Sequence, residues 1–142
     1  MAAKKTLTTV DLKLASLTGK HYGAEVKEVY VDMDDSMIGV LPSHQPEFYK
    51  FNAASVTFIN SNGEEEKYYV YDGFLEVEQD QVLIAVRDIF KPDEISVEKV
   101  KEEISSIEKE IEGLPEEELD RNRKLQEELD RKKVLLQKLM FA

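Results

Sequence analysis

The hydrophobic period of the chain changes once, beside Pro92, and this restricts the fold more than any other feature. Before it, Val10, Leu12 and Leu14 alternate with Asp11 and Lys13, the pattern of a strand buried on one face. Val26, Val29, Val31 and Met33 mark a second strand, with Glu28, Tyr30 and Asp32 on its other side. After it, Val97, Val100, Ile104, Ile107, Ile111 and Leu114 recur at spacings of three and four, which draws one apolar edge along a helix. Charge follows the same division. Residues 1–90 carry 8 Lys/Arg and 15 Asp/Glu, whereas the 52 residues from 91 to 142 carry 11 and 15. Half-charged sequence with helical spacing marks a solvated helix pair.

Turn chemistry divides the first part into short strands. Thr18-Gly19, Asp34-Asp35-Ser36, Asn60-Ser61-Asn62-Gly63 and Asp72-Gly73 are the breaks, with Asn-Gly suited to a hairpin because it accepts positive φ. Ala54–Ile59, Lys67–Tyr71, Phe74–Val77 and Val82–Val86 lie between or after them as strands. The expected fold is therefore an N-terminal β-sandwich or flattened barrel over 1–90, then an antiparallel helical hairpin over 91–142. Ser96 or Asp93 is placed to cap the first helix, and Gly113-Leu114-Pro115 to end it. A second helix is expected from Glu116, with Leu119, Leu125, Leu129, Leu136 and Leu139 as its apolar residues and Lys132 and Lys133 interrupting the stripe.

Composition excludes several functions. The formal charge is −11, so no nucleic-acid partner is expected, because phosphate contacts need clustered bases. There are no cysteines, which removes disulfides and thiolate metal sites. No run approaches the roughly 18 apolar residues of a membrane span, so no direct membrane insertion is expected. Met1–Thr6 lacks the apolar core of a secretory signal. A phosphate-binding loop ending in Lys-Ser/Thr is absent. The acids around Asp32, Asp34 and Asp35 lack the twelve-residue calcium loop. His21 has no metal-ligand partner at useful spacing. No catalytic residue, metal ligand or cofactor is expected.

The stretch Ile38-Gly39-Val40-Leu41-Pro42-Ser43-His44-Gln45-Pro46 is the most distinctive. Two prolines fix φ and remove two donors, so it forms a rigid turn leaving a strand. His44 has carboxylates near in sequence, but no nucleophile is framed around it; a locally bonded turn histidine is the simpler reading. In its position and pattern this stretch resembles the epsilon subunit of the F-type ATP synthase, equivalent to the mitochondrial delta subunit. Leu12–Gly19, Tyr71–Val77 and Val82–Val86 add to the resemblance in the family's order. Ser43 stands where glycine is usual, and Met37 where an acid is common.

The resemblance implies a non-catalytic central-stalk subunit that couples rotation of the gamma subunit and the c-subunit ring during proton-driven ATP synthesis. It implies a gamma-facing surface at Pro42, His44 and the neighbouring strand face. It implies a ring-facing turn at Asp34, Asp35, Ser36 and Met37, expected to be exposed. It also implies a hairpin that reaches the alpha/beta heads and obstructs ATP hydrolysis. The cytoplasmic face of a bacterial inner membrane is the expected location, with the matrix or stromal face of an organelle as alternative. A sandwich-plus-coiled-coil adaptor with an unrelated partner is the other reading. The family's nucleotide motif, (Ile/Leu)-Asp-x-x-Arg-Ala, falls on Ile95-Ser96-Val97-Glu98-Lys99-Val100. There the aspartate, arginine and alanine are all replaced, so no useful ATP binding is expected.

Overall fold

The computed structural model describes residues 8–42 and 45–141 of the chain. Six strands come first: β1 (Val10–Ser16), β2 (His21–Asp32), β3 (Met37–Val40), β4 (Glu47–Asn60), β5 (Glu65–Val77) and β6 (Gln81–Phe90). A 3-10 turn at Pro92–Glu94 leads to α1 (Val97–Glu112) and α2 (Leu119–Met140). The sheet order is β1-β6-β5-β4-β2-β3, and β1 also pairs with β2. Five strands thus close into a flattened barrel, and β3 hangs on β2 as an edge strand. The β1–β6 pair is parallel and the others are antiparallel. The expected class, a β-sandwich or barrel followed by two helices, is the one observed.

Turns form where the short polar residues stand. Gly63 has φ 81°, and the Asn60 side-chain oxygen accepts from the Asn62 and Glu64 N–H groups at 2.9 and 3.0 Å. Asp72-Gly73 behaves differently from expectation. It ends no strand: β5 runs through it without losing register against β4 or β6. Asp72 alone takes a left-handed φ of 57°, a conformation that aspartate tolerates better than most residues.

That residue lies on a line where three strands change face. The barrel core takes Phe51 but then Ala54 and Val56 from β4, Val70 but then Leu75 from β5, and Val86 but then Ile89 from β6. Simple alternation predicts even spacings, and each strand breaks it once. The breaks fall together, because Asn52, Asp72 and Arg87 occupy the positions skipped between Phe51–Gly73 and Ala53–Tyr71, and between Gly73–Val86 and Tyr71–Asp88. Strands that bend between the two layers of a sandwich do so through such irregularities. β2 turns similarly at a register shift between Val26 and Glu28, which is why Val26 and Val29 are both fully buried.

A second apolar cluster forms outside the barrel. Ala53, Tyr69 and Tyr71 pack with Val100, Ile104, Leu129 and Leu135, so the hairpin lies on the outer side of β4 and β5, with α2 against the strands. Ser96 caps α1, its hydroxyl accepting from the Lys99 N–H at 3.2 Å. α2 starts at Leu119 rather than Glu116, because Pro115 closes a turn in which the Glu118 N–H donates to its carbonyl at 3.1 Å. Leu119 is consequently 75% exposed and joins no stripe. The buried residues of α2 are Leu129, Leu135 and Lys138.

Candidate partner-binding surfaces

The two stretches expected to meet partners lie at opposite ends of β3, about 10 Å apart along an extended strand. Gly39, in its middle, lets the exposed Tyr30 ring lie close over the strand: a Cβ there would stand 2.9 Å from the ring, which would have to shift. Beyond β3, Leu41 is 52% exposed and Pro42 is half-buried. His44 lies outside the described residues, as does Ser43. At the other end, the Met33 N–H closes the turn onto the Ser36 carbonyl at 2.8 Å. Asp35, Ser36 and Met37 are exposed, Met37 at 67%.

Asp34 corrects the expectation of an exposed acid. It is half-buried, and its carboxylate accepts from the Asn52 N–H at 2.9 Å and the Asn52 side-chain amide at 2.6 Å. The cause is the end of a ladder. β2 stops pairing with β4 at Asp32–Ser55, so the next N–H groups of β4 need another acceptor, and Asp34 supplies it.

An aromatic face lies on the outer side of the barrel, beyond the line of face changes from the hairpin. Phe48 is 63% exposed and stacks on Phe74 at 5.3 Å between ring centroids. Phe74 also lines a shallow groove of about 360 Å³ with Ala15, Leu17, Ala85 and Val86, where Leu17 is 88% exposed. Glu47, Glu76 and Glu78 surround Phe48 and Pro46. Neither Phe48 nor Phe74 was singled out by the sequence reading, because their outward direction follows from the face change at Asn52 and Asp72. The one available signal was Phe48 directly after Glu47, an aromatic beside a charge in a strand.

The hairpin is tied to the barrel by charge. Arg87 of β6 donates to Asp72 at 2.5 Å and to Glu128 of α2 at 3.0 Å. Arg131 of α2 donates to Glu128 at 2.9 Å and lies 3.7 Å from Asp72. The Tyr71 hydroxyl donates to Glu128 at 2.9 Å, and Lys132 stands 4.6 Å from the Tyr71 ring centroid, a cation–π distance. Burial pushes the Glu128 carboxyl up, but hydrogen bonds from Arg131, Arg87 and Tyr71 outweigh it and hold it below the ordinary range. Burial, then the Glu128 charge, push the Tyr71 phenol above its ordinary value. Lys138 donates to Asp32 of β2 at 3.1 Å. Glu128, Arg131, Leu135 and Lys138 share one face of α2 at helical spacing, and three are charged, so the leucine stripe did not predict them.

Among the described residues no group of three or more His, Cys, Asp or Glu side chains is placed to hold a metal ion. No described helix is long and apolar enough to cross a membrane. The described residues form a closed β-barrel that carries a two-helix appendage and, on its outer side, the exposed Phe48 stacked on Phe74.

This architecture, with its sequence, belongs to the delta and epsilon chains of ATP synthases. The family model described as ATP synthase, Delta/Epsilon chain, beta-sandwich domain matches residues 9–92. The ATP synthase epsilon chain of Dichelobacter nodosus is 31% identical over 102 residues, covering 72% of this chain and 71% of its own. That of Rubrobacter xylanophilus is 33% identical over 104 residues, covering 72% and 70%. A chain in the structure of the Euglena gracilis mitochondrial ATP synthase, OSCP/F1/c-ring in rotational state 1, shares the fold with a TM-score of 0.67. It is 15% identical, over 94% of this chain and 86% of that chain.

Proposed function

We propose that this chain is a non-catalytic rotor subunit that couples the gamma subunit to the ring of c subunits. The observation that carries the proposal is the outer face formed by exposed Phe48 stacked on half-buried Phe74, found in a chain of this family. An aromatic ring left largely in water on a rigid strand, as Phe48 is, suits a permanent protein contact, since little ordering is needed to bind it. In this reading gamma covers that face together with Pro42 and His44. Asp35, Ser36 and Met37, on a turn braced by Asp34, meet the ring. Residues 1–90 and 91–142 act as two units, and the docked hairpin is the compact form. Its release toward the alpha/beta heads would obstruct ATP hydrolysis. The subunit would sit on the cytoplasmic face of a bacterial inner membrane, held there by its partners. Family membership favours this role over an adaptor with an unrelated partner.

The test is co-purification of the intact chain with gamma, comparing wild type with Phe48→Asp and His44→Asp. Phe48 is largely exposed, so the barrel should fold in the variant. Loss of a central aromatic contact should weaken association by at least about tenfold. Unchanged binding by Phe48→Asp would remove the proposed face.

A further inference from the structure

The ionic contacts between hairpin and barrel are of two kinds. Asp72 and Arg87 belong to the barrel, and Glu128 and Arg131 to α2. They cross-link, yet each body already holds a matched pair: Arg87 with Asp72 at 2.5 Å, and Arg131 with Glu128 at 2.9 Å. Lys132 pairs with Glu103 of α1 at 2.6 Å, inside the hairpin. Separating hairpin from barrel leaves none of these six charges without its partner. Lys138 is different. Its side chain is 8% exposed, and it reaches Asp32 across the interface. The residues three and four before it are Leu135 and Val134, and Phe141 lies three after, so α2 offers no acid in exchange.

We infer that the hairpin is held by an asymmetric clasp, in which Lys138–Asp32 is the lock and the Asp72–Arg87–Glu128–Arg131 quartet is a guide that opens without leaving an unpaired charge. The position of the lock gives it a use. Asp32 ends β2 and is the ladder partner of Met37 and Ser55, so it stands at the root of the Asp34–Met37 turn. Its side chain is 45% exposed. A cation brought to that turn by a partner competes with Lys138 for the same carboxylate. This use rests on the proposed ring contact; the lock itself is measured on the isolated chain.

The chain has no cysteines, so spin labels can be placed at two exposed sites, Glu64→Cys in the β4–β5 turn and Asp130→Cys on α2. The distance distribution between them gives the docked fraction. Asp32→Asn should lower the docked-to-open ratio by at least about tenfold, because it strands a buried ammonium. Arg131→Gln should change it by no more than about threefold, since Glu128 and Asp72 keep Arg87. Adding Lys138→Met to Asp32→Asn should restore docking, as methionine of similar length needs no partner. A docked Asp32→Asn chain, an Arg131→Gln chain as open as Asp32→Asn, or a double variant that stays open would each overturn the lock. An Asp32→Asn chain that opens as expected, in a protein that does not bind gamma, would leave the lock standing and remove the rotor reading.

Discussion

Gly73→Ala should cost the barrel more than any other glycine replacement, and the structure gives the size. A Cβ at Gly73 would collide with the Ala85 carbonyl oxygen and lie 2.7 Å from both Val86 Cα and Val86 Cγ1. Two of those three atoms are backbone of β6, so no rotamer change relieves the clash and the strands must separate. Overpacking typically costs about 1–3 kcal/mol, and with backbone as the obstacle the upper end, about 3 kcal/mol or roughly 150-fold in the folding equilibrium, is expected. Gly63 is the control. It has φ 81° with nothing within 4 Å of an added Cβ, so Gly63→Ala carries only the left-handed penalty of about 1–2 kcal/mol. In urea, at a slope of about 2 kcal/mol per molar, the Gly73→Ala midpoint should fall by roughly 1.5 M and that of Gly63→Ala by only about 0.5–1 M. A Gly73→Ala midpoint equal to or above that of Gly63→Ala would show that the β5–β6 approach at this pair is not close.

Stability of the folded chain should depend on pH in a stated sense. Glu128 titrates lower in the folded chain than its ordinary 4.5, so its stabilisation is complete above that value and is lost as pH falls through the folded one. Tyr71 titrates above its ordinary 10.0, so its share is complete below pH 10 and declines above it; urea midpoints of wild type, Glu128→Gln and Tyr71→Phe over a pH series check both limbs, and a wild-type advantage over Glu128→Gln that shrinks already above about pH 5 would contradict the first. The isolated chain should not bind ATP: the groove between α1 and α2 presents Glu102, Glu103 and Glu128 against Lys99 and Lys132, and Glu103 already holds Lys132 at 2.6 Å. Titration calorimetry yielding a dissociation constant tighter than about 1 mM would refute this.

The readable parts of the fold were those governed by local rules. Alternation located β1, the three-and-four stripe located α1, and Asn60–Gly63 was a turn for the reason its residues suggest. Ser96 capped its helix as its side chain allows. Less readable were the features that tertiary contact decides. Asp72-Gly73 carries turn residues, yet its neighbours on both sides kept it in the sheet. Asp34 is a loop acid by sequence, but the end of the β2–β4 ladder gives it the N–H groups of Asn52 and Ala53 to satisfy. On α2 the leucines mark one apolar edge, while Glu128, Arg131 and Lys138 make the polar contacts to the barrel; charged residues at helical spacing look the same whether they face water or a complementary sheet.

The line Asn52–Asp72–Arg87 explains why one barrel can offer both a hairpin seat and an aromatic face. With unbroken alternation, the parity that sends Ala53, Tyr69 and Tyr71 outward would send Phe48 and Phe74 into the core. Changing parity once in each strand puts both sets outside, while Phe51, Leu75 and Val86 still reach the core. The cost is concentrated at Asp72, in its left-handed backbone, and at Gly73, where no side chain fits. The residues on this line are polar, so the ladder positions they vacate become places where Asp34, Glu128 and Arg131 attach. The same irregularity therefore turns the strands between layers, exposes the aromatic pair on one side and anchors α2 on the other. Replacing Asp72 with a β-branched residue such as valine should disturb both sides together, since it removes the carboxylate and resists positive φ. Loss of hairpin docking with the Phe48–Phe74 stacking retained would show that the two faces are set independently.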